Sequence, residues 1–186
     1  HEYTNYLTLL KTTKMKLLLT VLCSCLSYFV FAQYTAKLDS RASVVFPSKT
    51  QEMQGAASPI IYNTLDKDHK ITGMATAINA NDFGVDSSMI AANYNNTLFV
   101  DLILQNITGQ YPGMNMVSKK KIAKSKMMGY EVVLSNDTPS EKVPYKNVYA
   151  QVFFSGATIY ALTVLALEGV DATSDSDKFF NSLKVD

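Results

Sequence analysis

The hydrophobic and polar positions of the chain follow two periods, and the changes between them predict the order of its elements. Runs that alternate, or that are rich in β-branched residues, predict strands at 42–46, 60–65, 71–79, 130–134, 145–154 and 157–167. Two short polar turns, DKDH and SG, each lie between consecutive predicted strands. We therefore expect two β-hairpins, because such turns reverse the chain between antiparallel strands.

A helical period follows the third predicted strand. Apolar residues recur there every four positions, with a second row beside them: Ile90, Tyr94, Leu98 and Leu102, then Phe99, Ile103 and Ile107. This spacing predicts one helix of about 20 residues with a single apolar stripe. Asp86 or Ser87 is expected to cap its start, and Gly109 is expected to close it.

A second helix is predicted near the end of the chain. Ser174 is its expected N-cap, and Asp175 and Asp177 suit the positive end of the helix dipole. Its expected apolar face is formed by Phe179, Phe180 and Leu183. The resulting order, with local hairpins and few helices, predicts an α+β fold in which helices pack on a central antiparallel sheet.

The first 32 residues have the pattern of an export signal. Residues 15–32 combine a charged start, an apolar run and small residues before a cleavage position. We expect a signal peptide cleaved before Gln33, with 1–14 as an upstream leader, and a periplasmic or secreted protein. A membrane anchor is disfavoured because the run is shorter than the roughly 20 residues that cross a bilayer. The alternative is a lipoprotein anchored at Cys25, whose preceding residues partly fit a lipobox.

The composition of residues 33–186 narrows the range of partners. This part of the chain has 14 basic and 15 acidic side chains, and so a net charge of −1. A near-neutral domain has no overall field that would attract nucleic acid, so no nucleic-acid partner is expected. The same residues contain no cysteine, which for an exported protein favours a bacterial envelope over a disulfide-built extracellular module.

Few residues offer the chemistry of an enzyme. His69 is the single histidine after residue 32, and it lies in the DKDH turn beside Asp66 and Asp68. A serine hydrolase needs a histidine base and a nucleophile turn, and no Gly-x-Ser-x-Gly motif is present. Acid–base catalysis by two carboxylates stays open, because it depends on how the fold pairs them. We expect a non-enzyme, and a hydrolase is the weakest alternative.

Metal and nucleotide sites have little support. The DKDH turn is too short to wrap a cation, and DATSDSD lacks the central glycine and final glutamate of a calcium loop. Neither a Walker loop nor a Gly-x-Gly-x-x-Gly motif occurs. We therefore expect no metal and no cofactor.

The stretch VSKKKIAKSKMMGYEVVL, residues 117–134, is rich in lysine. Read as one strand, it would turn Lys124 and Lys126 toward the core, where unpaired charges are costly. A β-bulge near Met128 and Gly129 would change the register and turn Lys120, Lys124 and Lys126 outward. These three lysines are candidate contacts for an anionic partner, and the alternative is a solvated strand face.

Several short motifs resemble those of PsbP-like domains. They are VVFPSK near the start, Gly129 and Glu131 in a G-x-E step, Ile159 and Tyr160 after a hairpin turn, and DKFFNSLKV at the end. Leu183 departs mildly, since the family more often has phenylalanine there. The resemblance covers 44–185 and implies a PsbP-like (Mog/PsbP-type) α+β sandwich with helices on both sides of an antiparallel sheet.

The resemblance also implies a protein that binds or assists rather than catalyses. We expect an exported accessory domain that contacts an unknown protein or envelope component through its outer sheet face or hairpin loops. The alternative is a protein that binds a small apolar, lipid-like ligand between the long helix and the sheet.

Overall fold

The computed structural model describes residues 33–55 and 58–186, and this part of the chain folds into ten strands and three α-helices. The strands are β1 (Tyr34–Lys37), β2 (Ala42–Phe46), β3 (Gln51–Met53), β4 (Ile60–Thr64), β5 (Ile71–Asn79), β6 (Asn115–Lys124), β7 (Met127–Ser135), β8 (Tyr145–Ser155), β9 (Thr158–Leu167) and β10 (Lys184–Val185). The helices are α1 (Ser87–Asn93), α2 (Thr97–Thr108) and α3 (Thr173–Asn181), with a 3-10 turn at Ala80–Phe83.

Seven of the strands form one sheet in the order β3-β4-β5-β9-β8-β7-β6, and β1-β2-β10 form a smaller one. Every neighbouring pair is antiparallel. The two predicted hairpins are present as β4-β5 and β8-β9, and Gly156 has the positive φ of 60° that the second turn requires. The predicted α+β class with a central antiparallel sheet is confirmed.

Apolar side chains cover both faces of the large sheet. On one face α3 and the small sheet bury a core in which the Phe46 and Phe179 rings lie 5.0 Å apart. On the other face α1 and α2 bury Val132 and Val152 of the central strands. The alternation of inward residues along each strand thus produces a layered sandwich with helices on both sides, as the motif resemblance implies.

The prediction of one continuous helix is wrong, because the segment forms α1 and α2, but Gly109 closes α2 as predicted. Asp86 caps α1 by accepting from the Met89 amide at 2.8 Å, and Asn96 caps α2 by accepting from the Leu98 amide at 3.0 Å. The new cap rotates the second helix, so Leu98 and Leu102 are 82% and 61% exposed. The buried stripe of α2 is instead Val100, Leu104 and Ile107. Asn96 starts the second helix because its side-chain oxygen accepts from a backbone amide of the first turn.

The lysine-rich stretch is a hairpin rather than one strand. β6 ends at Lys124, Ser125 takes a left-handed φ of 54°, and β7 begins at Met127. The predicted bulge at Met128 and Gly129 is wrong, because both residues pair regularly with β6 and β8. The irregularity lies between Met116 and Ser118. A tight turn changes the register without a bulge, and it was missed because the sequence SK is not a typical turn signal.

The final helix begins slightly earlier than predicted. Ser174 lies inside α3, and the Asp171 carboxylate accepts from the Thr173 amide at 3.0 Å ahead of the helix. Ser174 is therefore not the cap, because Asp171 already satisfies the first free amide. The predicted apolar face is correct, since Phe179, Phe180 and Leu183 are all buried.

The predicted leader 1–14, the signal peptide 15–32, the cleavage before Gln33 and the alternative anchor at Cys25 lie outside the described residues. They stay predictions. Within the part of the chain that the structure describes, none of the helices is both long and apolar enough to cross a membrane.

Candidate functional site

An apolar groove lies between α2 and the outer strands β4 and β5. The two helices cover the central strands, where Val152 and Leu165 are buried. The same sheet face continues onto β5, but there Met74 and Ile78 are only partly buried. The helical layer is narrower than the sheet, and the uncovered margin forms a groove of about 370 Å³.

The groove has an aliphatic and aromatic lining. Its helical wall is the flank of α2 next to the buried stripe, and its floor is formed by β5 and β9. Apolar side chains supply most of the surface: Ile60, Ile78, Ala80, Phe83, Val85, Phe99, Leu102, Ile103, Ile107 and Ile159. Phe83 and Leu102 are 62% and 61% exposed, so the opening is apolar as well as the floor.

The polar side chains of the groove are few, and two of them are hydrogen-bonded within the protein. The Thr76 hydroxyl donates to the Pro59 carbonyl at 2.9 Å, and the Asn106 amide donates to the Leu102 carbonyl at 2.8 Å. Ser58 and Gln110 complete the polar lining, and none of the described lining residues is charged. The groove therefore offers no partner for an ionised group, which would be costly to bury there.

A smaller cavity of about 30 Å³ adjoins the groove and shares Ile78 and Ile107 with it. Tyr111 and the buried Thr163 both line this cavity. Burial raises the pKa of the Tyr111 hydroxyl. The cavity therefore has neutral hydroxyl groups among its apolar lining residues.

A charged cluster lies between the small and large sheets. The Asp39 carboxylate accepts from the Arg41 and Ala42 amides, each at 2.7 Å, and from the buried Tyr160 hydroxyl at 2.9 Å. Arg41 also donates to Thr158 at 3.0 Å. The tyrosine noted in the hairpin motif therefore holds the β1-β2 loop on β9.

The environment of this cluster shifts the pKa values of Asp39 and Tyr160. Burial raises the pKa of Asp39, but the Arg41 amide, the Tyr160 hydroxyl and the Ala42 amide outweigh that effect and leave it lowered. Burial and the Asp39 carboxylate raise the pKa of Tyr160 to about 12. The Tyr160 hydroxyl and the Asp39 carboxylate are hydrogen-bonded to each other. We therefore assign this pair a structural role.

The residues weighed for catalysis or metal binding lie apart from the groove lining. His69 is exposed with a φ of 57°, and the Asp66 carboxylate accepts from the Lys70 and Ile71 amides. The loop therefore uses its aspartate to form its own turn. Within 33–55 and 58–186, no group of three or more histidine, cysteine or acidic side chains could share a metal ion.

The lysines of β6 divide between the two sheet faces. Lys119 pairs with Asp101 of α2 at 2.5 Å, and Lys121 contacts Asn95 on the same face.

Lys120 and Lys124 lie on the opposite face, as the strand alternation requires. Lys126 lies in the turn. The contact of Lys120, Lys124 and Lys126 with an anionic partner stays a prediction.

Lys124 has a structural contact of its own. Its Nζ donates to the Phe180 carbonyl at 2.6 Å, close to the C-terminal end of α3. A cation is favoured there by the free carbonyls and the helix dipole. Burial lowers the pKa of the Lys124 amine. This lysine is therefore less available to a partner than Lys120 and Lys126, which are exposed.

Solved structures with the same arrangement of strands and helices come from distant sequences. The solution structure of cyanobacterial PsbP (CyanoP) from Synechocystis sp. PCC 6803 matches with a TM-score of 0.55 and 10% identity, over 84% of this chain and 94% of that one. The chain has the PsbP-like fold. This agrees with the resemblance that the short motifs indicate.

Two other structures match less well. A crystal structure from Bacteroides thetaiotaomicron VPI-5482 has a TM-score of 0.48 and 11% identity over 83% of this chain, and the match spans 48% of that longer chain. The Ran-binding protein Mog1p of Saccharomyces cerevisiae has a TM-score of 0.49 and 6% identity, over 83% of this chain and 96% of that one. No family model matches the sequence, and the search of curated proteins finds no match.

Sequence reasoning placed an apolar ligand between helix and sheet but named no residue for it. Phe83 and Thr76 were missed, and Leu102 was predicted only as part of the apolar stripe of the long helix. Phe83 gave one usable signal, since a lone aromatic residue stands within the polar stretch NDFGVD. The groove itself depends on how far α2 extends over the sheet, and no local pattern reports that.

Proposed function

We propose that the protein is an exported, non-catalytic binding protein that holds an uncharged alkyl group of an envelope component in the groove. The apolar groove beside α2 carries this proposal. Its volume of about 370 Å³ falls within the usual range for small-ligand sites, and its lining is mostly aliphatic and aromatic.

The lining supports an alkyl group more than a peptide. A bound peptide brings backbone amides and carbonyls that must find partners. The Thr76 hydroxyl and one Asn106 N–H group already donate to carbonyls within the protein. An alkyl chain makes no such demand, and burying it contributes about 0.8 kcal/mol for each methylene group.

The lining also supports binding over hydrolysis. Ser58 and Thr76 supply hydroxyls, but no described lining residue is a histidine, a lysine or a carboxylate that could act as the base. A serine or threonine is a poor nucleophile without such a base. The exposed Phe83 and Leu102 at the opening suit an apolar group presented from outside.

Filling the groove is expected to weaken alkyl binding. Thr76→Phe places a ring in the floor, and we expect it to weaken the binding of 1-dodecanol at least about tenfold, from a wild-type Kd on the order of 10 µM. Isothermal titration calorimetry measures both values. Dodecanoate should bind more weakly than the alcohol at pH 7, because none of the described lining residues carries a charge that could pair with its carboxylate.

The matched control is Leu98→Gln, which changes an exposed leucine of α2 outside the groove. It should bind 1-dodecanol as the wild type does. Equal binding by the wild type and Thr76→Phe would contradict the proposal, as would a wild type that does not bind. Turnover of dodecyl acetate would favour a hydrolase instead.

A further inference from the structure

Strand β6 is an open edge of the large sheet. It is the last strand in the order β3-β4-β5-β9-β8-β7-β6, and nearly all of its ten residues are exposed. No backbone group in the described part of the chain hydrogen-bonds to its outer side. An edge of this kind presents unpaired amides and carbonyls to any strand that fits.

The edge is regular over most of its length. The irregularity between Met116 and Ser118 lies near its start, and from Ser118 to Lys124 every residue has one partner in β7. Seven consecutive extended residues are enough to pair with another strand. The opposite edge, β3, has only three residues, so the two edges of the sheet are not equivalent.

The open edge also carries positive charge that the domain does not neutralise. Of its four lysines and Lys126 in the adjoining turn, only Lys119 pairs with a carboxylate among the described residues. Lys121 and Lys124 contact neutral oxygens, those of Asn95 and Phe180. Glu131 lies opposite Lys120, but its carboxylate accepts from Gln151 at 2.8 Å.

We propose that β6, from Ser118 to Lys124, accepts an extended acidic segment of a partner protein as an eighth strand. Main-chain hydrogen bonds supply the affinity in this mode of recognition, and the side chains select the partner. Because lysines lie on both faces of β6, alternate acidic residues on either face of the added strand meet a positive charge.

The same charges disfavour a second copy of this chain on the edge. Two β6 strands would bring their lysines together, and like charges directly opposite each other are destabilising. Edge lysines are a known protection against such self-pairing. The charge pattern therefore selects an acidic strand over a copy of itself.

The test uses a fluorescein-labelled eight-residue peptide of alternating glutamate and threonine, with binding measured by fluorescence anisotropy. Two further peptides are N-methylated at every second amide, one at odd and one at even positions. In an antiparallel pair only alternate amides face the neighbouring strand. The parent peptide should bind with a Kd on the order of 50 µM, and one methylated peptide should bind at least about tenfold more weakly.

Variants of the protein test the role of charge. Lys120→Glu reverses an exposed edge charge, whereas Lys67→Glu makes the same change in the β4-β5 turn. Lys120→Glu should weaken the parent peptide at least about threefold, and Lys67→Glu should leave it unchanged. Thr76→Phe should bind the peptide normally, which separates this proposal from the alkyl-binding function.

Three results of the peptide experiments would overturn the proposal. They are no binding of the parent peptide at 1 mM, equal binding of both methylated peptides and the parent, or equal weakening by the two lysine variants. The second result would mean general attraction between charges without strand pairing. A wild-type dimer in sedimentation equilibrium whose β6 amides are protected from hydrogen exchange would assign the edge to a second copy.

Discussion

Replacing Gly129 by alanine is expected to lower the free energy of unfolding by about 3 kcal/mol. Gly129 is buried in β7 between Ile122 of β6 and Phe153 of β8. A Cβ atom at this position would lie 2.2 Å from the Val152 carbonyl oxygen and 2.8 Å from the Phe153 ring. The carbonyl belongs to the sheet backbone and cannot move without disturbing two strands, so the added methyl group forces them apart.

Urea unfolding followed by circular dichroism measures this loss. The matched control is Gly84→Ala, where a Cβ would meet nothing within 4 Å but the φ of 72° is left-handed. It should cost about 1 kcal/mol, the conformational penalty alone. If Gly129→Ala loses no more unfolding free energy than the control, β7 and β8 leave enough room for a methyl group.

Replacing Asp39 by alanine is expected to cost about 3 kcal/mol of unfolding free energy. The change removes the acceptor of three hydrogen bonds, from the Arg41 and Ala42 amides and from Tyr160. The Tyr160 hydroxyl then keeps only a long 3.5 Å contact with Arg41 inside the protein. Leaving a buried donor without its partner costs more than the hydrogen bond itself contributes.

Tyr160→Phe separates the hydrogen bond donated by Tyr160 from the two amide hydrogen bonds that Asp39 accepts. It removes the hydroxyl but keeps the two amide contacts of Asp39, so about 1 kcal/mol should be lost. Urea unfolding at pH 7 compares the two variants. A cost for Asp39→Ala no larger than that of Tyr160→Phe would mean that the carboxylate does not hold the β1-β2 loop.

The same pair determines how stability depends on pH. The pKa of Asp39 is lowered below its ordinary value of 3.8, so its contribution is present above that pH and is lost as the pH falls through the lowered pKa. The pKa of Tyr160 is raised from 10.0 to about 12, so its contribution is present below pH 10 and is lost between pH 10 and about 12.

Unfolding midpoints measured across both ranges check these signs. The gap between the wild type and Asp39→Ala should shrink below pH 4. The wild type should weaken above pH 10 relative to Tyr160→Phe, which has no group at this position to ionise. A gap that stays constant from pH 7 to pH 12 would contradict the alkaline part.

Local patterns along the chain were enough to predict much of the sheet. The alternation in β5, β8 and β9 and the two hairpin turns predicted antiparallel pairing, because a strand that buries one face needs a period of two. The short motifs around Gly129 and Tyr160 indicated the PsbP-like fold, which the structure confirms. A Cβ at Gly129 would collide with the Val152 carbonyl of the neighbouring strand, and the Tyr160 hydroxyl donates to Asp39 of the β1-β2 loop.

The wrong predictions fall where one local pattern allows two interpretations. The residues Asn93 to Asn96 are compatible with a continuous helix or with a second cap, and tertiary packing of Val100 and Leu104 decided for the cap. The turn at Ser125 was similarly hidden, because SK is not a typical turn sequence.

The sequence by itself determined the α+β class, the antiparallel hairpins and the scarcity of catalytic side chains, because these depend on local periodicity and composition. Only the tertiary structure decided that α2 leaves β4 and β5 uncovered and that β6 ends the sheet. The groove lies where the helices no longer cover the sheet, and the charged edge lies at the last strand of the sheet. Where a layer stops depends on helix position and strand order, which are set by contacts between residues far apart in the chain and have no signature in any short window.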